Sequence, residues 1–118
     1  MEFVLTFQQP QEVYEANADP VTGPAALEPW MLYMRALSEA GVMRGGNRLD
    51  VLHATRVRVR DGRRMVQDGP FADTKELLGG YVLIDVPSLD EALTWAERAP
   101  SAGRGSCEVY ALKAASSL

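Results

Sequence analysis

Tyr81-Val82-Leu83-Ile84-Asp85-Val86-Pro87-Ser88-Leu89-Asp90-Glu91-Ala92-Leu93 holds the transition that decides the fold. The unbroken apolar run from Tyr81 to Ile84 is what a central strand covered on both faces needs. Ser88 to Glu91 then has capping-box spacing, in which the Ser88 hydroxyl accepts from the Glu91 amide and the Glu91 carboxylate reaches back to the Ser88 amide. Leu89, Ala92, Leu93, Ala96 and Ala99 supply the apolar stripe of the helix that follows, and Pro100 ends it.

Elements on both sides of this stretch share its logic. Phe3, Leu5 and Phe7 alternate with Glu2, Val4 and Thr6, a strand with one face more buried than the other. Gln8 to Gly23 contains Pro10 and Pro20 and no sustained period, so it reads as a long connection of the kind that walls a site. Leu27, Trp30, Met31, Met34 and Leu37 recur at helical spacing, with Pro29 in the first turn and Gly41 as the left-handed stop. Val42-Met43-Arg44 is a short strand before Gly45-Gly46. Thr55 to Arg60 alternates Val57 and Val59 with Arg56, Arg58 and Arg60, and Asp61-Gly62 suits a tight hairpin that returns through Arg63 to Gln67. Cys107, Val109 and Ala111 alternate in a last strand.

The resulting order is βαββαβ with a hairpin inserted before the central strand. That is a ferredoxin-like α+β layout, an antiparallel sheet with two helices on one face. Residues 1–112 are expected to form a single domain and 113–118 a flexible C-terminal tail. The sheet's other face is left partly apolar by strands such as Tyr81 to Val86, and pairing two such faces in a homodimer covers it.

Composition narrows the function. The chain has 118 residues, 47% hydrophobic and 24% charged, which suits a globular domain and excludes disorder. A net charge of -4 has the wrong sign for a nucleic-acid binder. Seven arginines between Arg44 and Arg64 face only Asp50 and Asp61, but no aromatic residue interleaves the hairpin, which favours a solvated or dimer-bridging face. No stretch approaches the ~20 apolar residues of a membrane span, and Met1 to Phe7 lacks the basic start of a signal peptide. With Cys107 as the single cysteine, a small buried hydrophobe rather than a nucleophile, the expected setting is cytoplasmic. One histidine and one cysteine are too few for a zinc site, and no glycine-rich phosphate loop is present, so no metal or cofactor is expected.

The densest polar cluster is Asp68-Gly69-Pro70-Phe71-Ala72-Asp73-Thr74-Lys75-Glu76-Leu77-Leu78-Gly79-Gly80-Tyr81. Asp68 can cap a turn, Gly69-Pro70 bends it and Phe71 anchors it. In this stretch, in the Val57 to Gly62 hairpin and in the Leu89 to Leu93 helix start, the sequence resembles the YCII-related domain family, in its branch named for the Asp-Gly-Pro-Phe motif. The resemblance implies a dimeric α/β barrel of ferredoxin-like subunits. Its relatives include small-molecule enzymes and proteins associated with alternative sigma factors. Members nearer the family's namesake carry a histidine–aspartate pair near the first helix, where this chain has Leu27-Glu28-Pro29. Branch members also tend to end in Glu-Val-Arg-Pro, where this chain has Glu108-Val109-Tyr110-Ala111.

Two functions follow from this reading. The first is a cofactor-independent enzyme of isomerase or lyase type acting on a small molecule. In it Asp68 and His53 move the proton, and Lys75, Asp73, Thr74, Glu76 and Tyr81 hold the substrate. The second is a non-catalytic accessory module associated with a sigma factor. With Asp61-Gly62 at the tip, Arg60 faces Arg63 and Thr55 faces Asp68, which brings His53 within a residue or two of the motif. His53, Asp68 and Lys75 are therefore expected to border one pocket.

Overall fold

The computed structural model describes residues 1–114; the last four positions of the expected tail lie outside the described residues. The elements are β1 (Glu2–Pro10), α1 (Gln11–Asn17), α2 (Gly23–Ala26), α3 (Glu28–Glu39), β2 (Met43–Arg48), β3 (Thr55–Arg60), β4 (Arg63–Asp68), β5 (Glu76–Asp85), α4 (Leu89–Glu97) and β6 (Ser106–Ala111). Four strands form an antiparallel sheet in the order β2-β5-β1-β6, and β3 and β4 form a separate two-stranded sheet. This is the ferredoxin-like arrangement with an inserted hairpin.

One face of the sheet carries the core. Phe3, Leu5 and Phe7 of β1 pack with Val82 and Ile84 of β5, with Tyr33 and Leu37 of α3 and with Ala92 and Ala96 of α4. Phe7, Trp30, Tyr33 and Trp95 meet edge to face in a chain, with ring centroids 5.0 to 6.4 Å apart. The Tyr33 hydroxyl donates to the Trp95 carbonyl at 2.8 Å and ties α3 to α4. Gly41, at φ 72°, closes α3 with two bonds: its own amide donates to Ser38 and that of Val42 donates to Leu37.

The structure corrects several local expectations. Most of the long connection after Gln8 is ordered: β1 runs on to Pro10, and α1 and α2 fill much of the rest. Met31 points outward, and Tyr33 takes its place on the buried face of α3. Leu89 and Leu93 are exposed, because Ala92 and Ala96 of α4 allow close approach and Trp95 covers what they leave. Gly45-Gly46 lies inside β2, where an irregularity at Arg44 shifts the register. The capping box is half formed: the Ser88 hydroxyl accepts from the Glu91 amide at 3.2 Å.

The hairpin pairs in the register that its turn dictates, Arg60 with Arg63 and Thr55 with Asp68. Asp61 and Gly62 both have positive φ, 52° and 75°, which matches the twist of a two-residue hairpin. Residues 57–68 are all exposed. The chain's radius of gyration is accordingly 16.1 Å, against the ~13.5 Å of a compact domain this size. Among the described residues no helix is long and apolar enough to cross a membrane.

Candidate functional site

β5 contains one residue more than β1 opposite it, since Phe7 pairs with Gly80 and Gln8 with Leu78. The extra residue, Gly79, lies under the Tyr14 ring, and a Cβ there would overlap that ring. The Tyr14 hydroxyl donates to the Leu77 carbonyl at 2.7 Å, so α1 is pinned across the bulge. Burial of that phenol raises its pKa, which keeps it a neutral donor. On the neighbouring strand a Cβ at Gly46 would collide with the Tyr81 carbonyl. The two glycines and Gly80 therefore make a flat floor with no side chains standing on it.

Over this floor α1, α3 and β2 leave a cavity of about 440 Å³. Its walls are largely apolar, with Phe7, Leu27, Trp30, Met31, Met34 and Met43. Gln9, Tyr14, Asn17, Asn47, Arg48 and Tyr81 carry its polar side-chain groups. Asn47 is engaged, donating to the Tyr81 hydroxyl at 3.0 Å. Gln9 is only 8% exposed.

A second cavity, about 390 Å³, shares Tyr14, Asn17, Arg48 and Gly79 with the first. It is bordered by Asp50, Val51, Leu52 and His53. The turn Val51–His53 is moored to the sheet by the Leu49 amide, which donates to the Gly79 carbonyl at 2.9 Å. His53 Nδ1 lies 2.9 Å from Asp50 Oδ1. The carboxylate can only accept, so a neutral ring places its proton on Nδ1 and leaves Nε2 as a base. Both side chains are about 80% exposed (80% and 78%).

The Asp-Gly-Pro-Phe segment lies elsewhere. Asp68, Asp73, Thr74, Lys75 and Glu76 line neither of these two cavities, whereas Tyr81 borders the first. The register does bring His53 near the motif, but its imidazole turns to Asp50 and the three groups do not share a pocket there. The segment clasps the root of the hairpin. The Gly69 amide donates to the Ala54 carbonyl at 2.7 Å. Arg56 stacks 3.9 Å over the Phe71 ring and reaches Asp73 Oδ1 at 3.5 Å. Glu76 accepts from the Ser106 hydroxyl at 2.8 Å and joins β5 to β6.

Gln9, Tyr14, Trp30 and Arg48 escape the sequence reading as site residues. For Gln9 a signal exists, since extending the Phe3-Leu5-Phe7 alternation by one step puts a carboxamide on the core face. The carboxylate that partners His53, Asp50, sits three residues from it, a spacing that means something only once the local turn is known. Among the described residues no cluster of three His, Cys, Asp or Glu side chains is placed to hold a metal.

The sequence pattern of the YCII-related domain matches residues 1–116. A stretch of 61 residues is 49% identical to an uncharacterised protein of Rhizobium meliloti (strain 1021). It covers 50% of this chain and 49% of that protein, so the chain spans about half the length of the curated relative it matches. Among solved structures, the chain resembles 5-chloro-2-hydroxyhydroquinone dehydrochlorinase from Burkholderia phenoliruptrix AC1100, in complex with 2,5-dihydroxybenzoquinone. The TM-score is 0.55 at 18% identity, over 99% of this chain and 98% of that one, a likeness of fold.

Proposed function

Because this chain belongs to the YCII-related domain family, we propose that it is a small-molecule enzyme of isomerase or lyase type, moving a proton on a planar, mostly apolar ring bound over the glycine floor. The observation that carries this reading is the shared boundary of the two cavities. A ring-sized apolar space and an imidazole–carboxylate pair meet at Arg48. His53 takes the catalytic role with Asp50 as its partner, in place of Asp68. Nε2 removes a proton from a substrate carbon, the electron pair moves toward an adjacent oxygen, and the Arg48 guanidinium stabilises the negative charge that develops there. Return of the proton to another carbon completes an isomerisation; departure of an anionic leaving group with its electron pair completes an elimination. The fold neighbour, a dehydrochlorinase in complex with 2,5-dihydroxybenzoquinone, is compatible with this chemistry. The reading calls for no cofactor.

The functional unit in this reading is a cytoplasmic homodimer. Val4, Leu83 and Tyr110 stand on the sheet face away from the helices, beside the Thr6, Gln8 and Glu108 hydrogen-bond network. A second copy is the surface that matches this face in pleat and chemistry.

A thermal-shift panel of phenols, cyclic diones and aromatic carboxylates tests the reading. A ligand at a hundred times its dissociation constant stabilises the fold by about 2.7 kcal/mol. With a turned-over member in hand, His53→Asn should keep binding and lose roughly 10²- to 10⁴-fold in turnover. If no class binds at millimolar concentration, the enzyme reading fails, and the sigma-factor-associated module becomes the better account.

A further inference from the structure

We infer that Gln9 is the specificity-determining residue of the larger cavity, and that the ligand it selects is a ring carrying a hydroxyl group at its inner end. This inference rests on the cavity being a small-molecule site. Strand alternation places Gln9 on the same face as Phe3, Leu5 and Phe7, where the fold would otherwise put an apolar residue. The residue is 8% exposed, and it borders the cavity.

Of the wall's other polar side chains, Tyr14, Asn47 and Tyr81 are engaged in hydrogen bonds; Asn17 is half-buried and has none among the described residues, but it is less buried than Gln9 and lies on α1, off the sheet's apolar face. The Tyr14 hydroxyl donates to the Leu77 carbonyl and the Asn47 amide donates to the Tyr81 hydroxyl. The Gln9 carboxamide has no hydrogen-bond partner among the described residues. Among the described residues the side-chain atoms that are fully buried without a partner are Gln8 Oε1 and Ser101 Oγ, so the Gln9 carboxamide is not sealed but opens on the cavity; an apolar residue would be the better choice on this face if packing were its whole purpose.

The chemistry of the ligand follows from what a carboxamide does. It donates through nitrogen and accepts through oxygen, and a hydroxyl complements both. An anionic group would leave the carboxamide oxygen facing negative charge. Such a group belongs instead at the mouth, where the exposed Arg48 has no ion-pair partner among the described residues. The ligand is therefore amphiphilic along one axis: hydroxyl inward, apolar ring between Trp30 and the glycine floor, and any acidic group outward.

Phenol and toluene have nearly the same shape and differ in the one group at issue. Their affinities for the wild-type chain and for Gln9→Leu, read by quenching of Trp30 in the cavity wall, test the inference. The expected result is that the phenol-to-toluene affinity ratio falls about five- to tenfold in the variant, the value of one hydrogen bond. Ligand-free Gln9→Leu should melt at or above the wild-type temperature, since it removes a partnerless amide; Gln9→Met serves if the branched side chain does not pack. An unchanged ratio with both probes binding overturns the inference and leaves the cavity reading intact. Earlier melting of both variants also overturns it, because Gln9 must then have a partner inside the fold. Failure of both probes to bind the wild-type chain removes the cavity reading, and this inference with it; binding of toluene without phenol overturns the inference alone.

Discussion

Cys107 lies half-buried on β6 against the core, and burial pushes its thiol up from 9.0 to about 11. At pH 8 only about one molecule in a thousand carries the thiolate. Alkylation by iodoacetamide at pH 8 should therefore run at least a hundredfold slower in the folded chain than in the chain unfolded by urea. The raised pKa means that the folded chain holds this proton more tightly than the unfolded one. The associated stability is intact below pH 9 and is lost as the pH climbs to about 11. Burial of Tyr33 and of Tyr14 acts in the same direction. Melting temperatures should fall over that window, and Cys107→Ala should soften the fall. Gly79 offers a second test at this scale. A Cβ there overlaps Tyr14, so Gly79→Ala should release α1 from the bulge and weaken any ligand in the cavity at least tenfold, as measured by titration.

At the scale of elements, the Asp-Gly-Pro-Phe turn and the hairpin form one unit. An isolated two-stranded ribbon is marginal in water, and its strands are exposed nearly throughout. What holds it to the body is its root, where Arg56 is sandwiched between Phe71 and Asp73 and the Gly69 amide bonds Ala54. Arg56→Ala should loosen the hairpin by about 1 kcal/mol. Hydrogen exchange of the β3 and β4 amides should quicken several-fold while those of β1 and β5 stay as they were. Equal acceleration in all four strands would show that the hairpin is not a separate unit. A conspicuous polar motif thus has a mechanical role sufficient to explain Asp73, Phe71 and Gly69, without a ligand.

For the whole molecule, the thin slab of 47 × 45 × 19 Å is one sheet with helices on a single side and a ribbon projecting from it. The proposed dimer covers the open face. Sedimentation at micromolar concentration should give twice the 12.9 kDa chain mass. Leu83→Glu, which sets a charge in the middle of that face, should return the chain to its monomer mass while leaving its melting cooperative. A wild-type monomer would remove the sheet-pairing argument.

Local patterns were enough for most of the architecture. Period-two alternation marked β1, β3 and β6, apolar continuity marked β5, and Asp61-Gly62 set the hairpin register residue by residue, because each of these depends on neighbours within a few positions of the chain. The candidate site is another matter. Its floor needs Gly46 of β2 beside Gly80 of β5, Gln9 comes from the end of β1, and the proposed base, His53, comes from a turn moored to Gly79. Residues far apart in sequence acquire a common chemistry only when sheet order and one bulge bring them together. Composition and spacing drew attention to Asp68–Glu76, where polar residues are adjacent in the chain, whereas the cavity formed where the fold leaves side chains out. The group proposed to select its ligand is a glutamine on an apolar face, whose burial is decided only by tertiary packing.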